Sequence, residues 1–165
     1  MEYKKNKRHK QKLLLYALLL LAVMALIFYM SSKNGEDSSQ MSGWFAESFL
    51  GQLLTKLLPK LTDNAITSLR KYAHIFEFLC LGVSSFLFFD ELFYLRSGRL
   101  GKACAASTLW SLLYACSDEW HQTFVPARSG QLSDLRFDAA GFLAGIALTV
   151  LLVTRSSRNT RHASH

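Results

Sequence analysis

Two short patterns place an imidazole and a carboxylate on one helical face: His74-x-x-Glu77 and Asp118-x-x-His121. Residues three apart on a helix are neighbours, so each pattern makes one acid–histidine pair. Such pairs on adjacent helices are how metal sites in bundles are built. The same groups serve as general acid and base, and hydrogen-bonded polar packing is their plainer use. More polar side chains share these faces. At 100° per residue, Arg70, Lys71, His74, Glu77, Ser84 and Ser85 fall on one broad side of a helix. Ser107, Ser111, Tyr114, Asp118, His121 and Gln122 form a stripe on another, with Glu119 at its flank. Arg128 and Asp134 follow in a loop, and Asp138 opens the next apolar run. Arg128 is a fixed positive charge that either ties the loop to Asp118, Glu119 or Asp134, or holds an anionic headgroup.

The surroundings of these groups are apolar. Of 165 residues, 50% are hydrophobic and only 19% charged, a low charge for a soluble chain. The net charge of +7 would suggest nucleic acid if it formed one basic face. The cations instead sit in clumps between apolar runs, so no nucleic-acid partner is expected. Cys80, Cys104 and Cys116 lie inside apolar stretches, are odd in number and form no C-x-x-C pair. They read as small buried thiols.

The elements that must position the polar groups are therefore membrane spans. Residues 13–30 carry no charge and approach the roughly 20 apolar residues that cross a bilayer core. Their length and the lack of an A-x-A site favour an uncleaved anchor over a signal peptide. Further spans are expected at 72–95, at 103–125 ahead of Pro126, and at 138–154. The fold class is an all-α membrane protein, with four transmembrane helices in a small bundle and one external amphipathic helix. Its parts are a basic cytoplasmic head (1–12), the first span (13–30), an external segment (31–71), a three-helix region (72–154) and a basic cytoplasmic tail (155–165). In the external segment, residues 31–42 read as a loop and about 44–58 as the amphipathic helix, ended by Pro59. Lysines and arginines concentrate in the head, in the 96–102 loop and in the tail, which puts both termini in the cytoplasm. An acid at the centre of a span costs roughly 2.5–3.5 kcal/mol. Several of them gathered towards the outer face argue for a shared polar cavity open outward. Gly141-x-x-x-Gly145 permits close helix approach.

The block Ser117-Asp-Glu-Trp-His-Gln-Thr-Phe-Val-Pro-Ala-Arg-Ser-Gly, with Asp134, Asp138 and Gly141 behind it, resembles the signature of the VanZ-like family. Lys71-x-x-His74-x-Phe76-Glu77-Phe78 upstream is similar to the family's first motif. The resemblance covers about residues 68–150. It implies a bacterial cell-envelope membrane protein, since the family's namesake is associated with low-level teicoplanin resistance in Gram-positive bacteria. Many relatives carry Gly where Ala127 stands. The namesake keeps counterparts of Glu119, Gln122, Asp134 and Gly141, but lacks the histidines and Arg128 and has an Asn-type residue at Asp138. That shifts weight from a metal to Glu119, Gln122 and Asp134.

The functional expectation is a ligand-binding polar cluster of Lys71, His74, Glu77, Asp118, Glu119, His121, Gln122, Arg128, Asp134 and Asp138. It would take a membrane lipid, a lipid-linked wall precursor or a glycopeptide, without cofactor or metal. The alternative is a membrane enzyme modifying a lipid-linked substrate, with Glu119 or Asp118 and His121 or His74 as acid–base groups. No nucleophile elbow, P-S-G-H or H-E-x-x-H motif names its reaction. A transporter is the third reading, weakened by the lack of inverted repeats.

Overall fold

The computed structural model describes residues 2–57, 65–94, 97–128 and 134–162. All elements among them are helices: α1 (Glu2–Ser31), α2 (Gly35–Glu47), α3 (Phe49–Leu57), α4 (Ala65–Leu92), α5 (Arg99–Gln122) and α6 (Leu135–His162). Three are long and apolar enough to cross a membrane, over Asn6–Ser31, Ser68–Leu92 and Leu135–Arg155. The expected third span, 103–125, coincides with most of α5. That helix does not reach the same apolar character, because its stripe of Ser, Asp, Glu and His lowers the average.

The four long helices alternate in direction along the chain, so that α4 and α6 run parallel. His9 on α1 pairs with Glu91 at the end of α4, and Arg99 at the start of α5 forms a two-pronged pair with Asp90. These contacts tie the basic N-terminal helix end to the α4–α5 turn. At the opposite end, Ser31 on α1 meets Asp118 on α5, and His74 on α4 meets Asp138 on α6.

The tightest packing joins α4 and α6, which run parallel. A Cβ added at Gly141 would collide with the Ile75 carbonyl oxygen, one at Gly145 with that of Leu79, and one at Gly82 with that of Phe142. Backbone therefore lies on backbone, as small residues allow between helices in lipid, where close packing replaces the hydrophobic driving force. The spacing of Gly141 and Gly145 is matched by that of Ile75 and Leu79, which sets the register. Phe78, Leu81, Phe86, Phe142 and Ile146 fill the space beside this seam.

α5 is turned inside out relative to a helix of a water-soluble bundle. Its buried residues are Ala103, Ser107, Ser111, Ala115, Asp118, Glu119 and Gln122. Leu109, Trp110, Leu112, Leu113 and Trp120 point outward. Ser111 meets Ser85 of α4 at 3.2 Å.

Several boundaries differ from the sequence expectation. Residues 31–42, read as a loop, are largely helical. Asn34 Oδ1 accepts from the Asp37 amide at 2.7 Å, and Glu36 and Asp37 occupy the first turn of α2. A capping residue followed by acids starts a helix even in a polar stretch. The single amphipathic helix expected at 44–58 is broken at Ser48, whose backbone is extended. Its hydroxyl donates to the Phe45 carbonyl and accepts from the Gly51 amide, so one side chain serves both helix ends. The expected end of that helix, Leu58 before Pro59, lies outside the described residues. The head is helical from Glu2, and α6 continues to His162 because nothing between 155 and 162 breaks it.

Candidate functional site

The polar residues of three helices and the α5–α6 loop meet at the end of the bundle away from the basic N-terminal stretch. Spacing on α4 supplies Lys71, His74 and Glu77 at intervals of three, hence on one face. The last turns of α5 supply Asp118, Glu119, His121 and Gln122. The first turn of α6 supplies Asp138. Arg128 and Asp134 flank the loop between α5 and α6, of which residues 129–133 lie outside the described residues.

The pairs read from sequence are re-sorted in space. His74 Nδ1 lies 3.4 Å from Asp138 Oδ1, so its partner comes from α6 and not from Glu77 on its own helix. Asp118 Oδ2 accepts from Ser31 Oγ at 2.9 Å and from Gln122 Nε2 at 2.8 Å. His121 Nε2 sits 3.2 Å from Ser32 Oγ, and its ring stacks on Phe28 with centroids 4.6 Å apart. Lys71 Nζ binds Asp134 Oδ1 at 3.0 Å and lies over the Phe137 ring. Arg128 donates to the Met30 carbonyl at 3.1 Å. It therefore ties the loop to α1, while Asp118, Glu77 and Glu119 act on it through their charge.

These groups nonetheless act on one another. His74, Glu77, Asp118, Arg128 and Asp138 are close enough for their charges to interact. Burial pushes the Arg128 guanidinium below its ordinary range and Arg70 adds to this, while Asp118, Glu77 and Glu119 oppose it. Three of its acids are buried: Asp138 is 1% exposed, Asp118 3% and Glu119 5%. Among the described residues, Glu77 Oε2, Arg128 Nε and Asp138 Oδ2 are buried without a hydrogen-bond partner. A buried unpaired polar atom costs about 1–3 kcal/mol, so the fold tolerates this arrangement at a loss. Among the described residues no group of three or more His, Cys, Asp or Glu is placed to hold a metal ion.

A cavity of about 360 Å³ lies between α1 and α5, lined by Phe28, Tyr114, Ser117, Asp118, Trp120, His121 and Phe124. Asp118 and His121 of the polar cluster belong to its lining. Tyr114 closes its inner side by donating to the Met24 carbonyl at 2.5 Å. Trp120 and Phe124 form its outer rim in edge-to-face contact, each 68% exposed.

Sequence reasoning missed the part played by α1, read only as an anchor. Met30, Ser31 and Ser32 each contact the cluster, and Phe28 forms part of the cavity wall. The polar pair Ser31–Ser32 directly after an apolar run was the available signal, but one helix's periodicity does not say which neighbour it faces. The loop departure at Ala127 also acquires a meaning. Its φ is +56°, a left-handed conformation that costs a residue with a Cβ roughly 1–2 kcal/mol and glycine almost nothing.

A family model described as VanZ/LLP1 matches residues 16–153. No curated protein and no solved structure matches the chain significantly.

Proposed function

From the premise that this chain belongs to the VanZ/LLP1 family, we propose that it is a bacterial cell-envelope protein that binds an amphiphile between α1 and α5. The observation that carries this reading is the aromatic cavity whose inner end meets Asp118 and His121. An acyl chain or hydrophobic substituent lies against Phe28, Tyr114, Trp120 and Phe124, and the polar part faces the cluster. Lipids, lipid-linked wall precursors and acylated glycopeptides all have this two-part character. Protection against teicoplanin follows where the bound amphiphile is the drug or its target.

The placement in the membrane belongs to the same proposal. α5 joins the three apolar helices as a span, third in chain order, supported by its buried polar stripe and outward leucines and tryptophans, the arrangement lipid favours and water opposes. Both termini are cytoplasmic by the lysine and arginine bias. α2 and α3 lie at the outer surface, where exposed Trp44, Leu53 and Leu57 suit an interfacial helix. Thiol labelling of Asn34→Cys, Ser97→Cys and Thr123→Cys, in a chain with its three cysteines changed to Ser, tests this. Asn34→Cys and Thr123→Cys should label in intact cells, and Ser97→Cys only after permeabilisation. Labelling of Ser97→Cys and Thr123→Cys from the same side would remove α5 as a span.

Binding is read from tryptophan fluorescence. A lysolipid with a brominated chain should quench purified protein in maltoside micelles saturably, and Trp120→Phe should remove most of the saturable part. Quenching that rises without saturation, or is unchanged in Trp120→Phe, defeats the amphiphile reading.

One observation favours catalysis as the second reading. Asp138 holds His74 by Nδ1, the arrangement that orients an imidazole for proton transfer. Asp118 and His121, by contrast, meet Ser31 at the end of α1 and Ser32 just after it. Lipid extracts from cells with and without the intact gene decide it, since an enzyme leaves an altered lipid species.

A further inference from the structure

Four aromatic side chains and a carboxylate around one cavity are more specific than a general hydrophobic slot. Phe28, Tyr114, Trp120 and Phe124 line it together with Asp118. Aromatic faces attract cations through their quadrupole, most strongly where water is excluded, and cages of this composition recognise alkylated ammonium groups. The complementary charge is the Asp118 carboxylate, which is itself part of the cavity lining. A plain interfacial belt would supply tryptophan at this depth, but it does not require a buried carboxylate at the floor of a concave site.

We propose that the amphiphile bound between α1 and α5 carries an alkylated ammonium group, held by the aromatic faces of Phe28, Tyr114, Trp120 and Phe124 with Asp118 as counter-charge. This rests on the amphiphile reading above and adds the class of the polar head. Asp118 is kept in place by Ser31 and Gln122, so the ligand meets an oriented carboxylate. Its chain leaves past Trp120 and Phe124 towards lipid.

Displacement of the brominated lysolipid in maltoside micelles tests the head separately from the chain. Dodecyltrimethylammonium is compared with its uncharged isostere, in which carbon replaces the quaternary nitrogen. The cation should displace the probe at about one tenth of the concentration the isostere needs, a difference within the range of a desolvated cation–π contact with a counter-ion. Asp118→Asn, which keeps the shape, should reduce that ratio to about two. Because the ratio is taken within one protein, a general loss of affinity does not imitate the result. Equal displacement by both compounds in the wild type overturns the ammonium assignment and leaves amphiphile binding standing. Failure of the cation to displace a saturably bound probe does the same. Absence of saturable probe binding defeats both. If Asp118→Asn does not fold, the wild-type ratio still decides.

Discussion

Gly145→Val should prevent α6 from seating on α4 and leave little folded protein. The new Cβ would overlap the Leu79 carbonyl oxygen and crowd the Val83 amide nitrogen. Both are backbone atoms in the middle of a helix, so neither swings aside as a side-chain tip would. Ordinary overpacking costs about 1–3 kcal/mol, and a clash with backbone on a parallel seam lies at or beyond the top of that range. Domains of this size have only about 5–15 kcal/mol in hand. Separation of α4 from α6 also parts His74 from Asp138, which meet further along the same seam. The expected result is a sharp fall in detergent-resistant folded protein, read by thermal unfolding and protease resistance. A Cβ added at Gly101 on α5 would meet nothing within 4 Å, so Gly101→Ala is the matched control. It should stabilise slightly, by about 1 kcal/mol or less, through helix propensity. Similar behaviour of the two variants would mean that the glycine seam does not hold the bundle.

The second large effect concerns the buried pair at the other end of that seam. His74→Phe combined with Asp138→Leu should raise the thermal midpoint above that of the wild type. Asp138 is almost wholly buried and has one carboxylate oxygen unpaired. Its contact with His74, at 3.4 Å, is long. Replacing a buried polar pair by apolar residues of similar volume is often neutral or stabilising by about 1–4 kcal/mol, and removing an orphaned oxygen adds to the gain. For a domain of this length, that predicts a rise of several degrees. The gain should come with loss of whatever chemistry the site performs. A lower midpoint would show instead that the pair fastens α4 to α6 and owes its presence to stability.

How far the sequence carried the site depends on the element. Lys71, His74 and Glu77 were legible as one face because helical periodicity is a local property, and the stripe on α5 was legible for the same reason. The partner of each group was not. His74 meets Asp138 across the seam, Arg128 donates to a carbonyl of α1, and Asp118 accepts from Ser31 and Gln122. Spacing within a helix says which side chains share a face, and says nothing about what the facing helix offers at that height. Gly141-x-x-x-Gly145 was legible as a site of close approach, but Gly82 as its counterpart on α4 was not.

By itself the sequence determined that this chain is helical, that much of it belongs in a bilayer, and which side chains are too polar to be there without a reason. Those properties are sums over neighbouring residues: apolar run length, periodicity at 3.6, and the clumping of cations. The tertiary structure decided which acids of the polar cluster are buried, and that the cavity beside it is aromatic and shared with α1. These depend on the relative height and rotation of helices far apart in the chain. They are set by a backbone seam at three glycines and by ion pairs at the other end, which no single helix encodes.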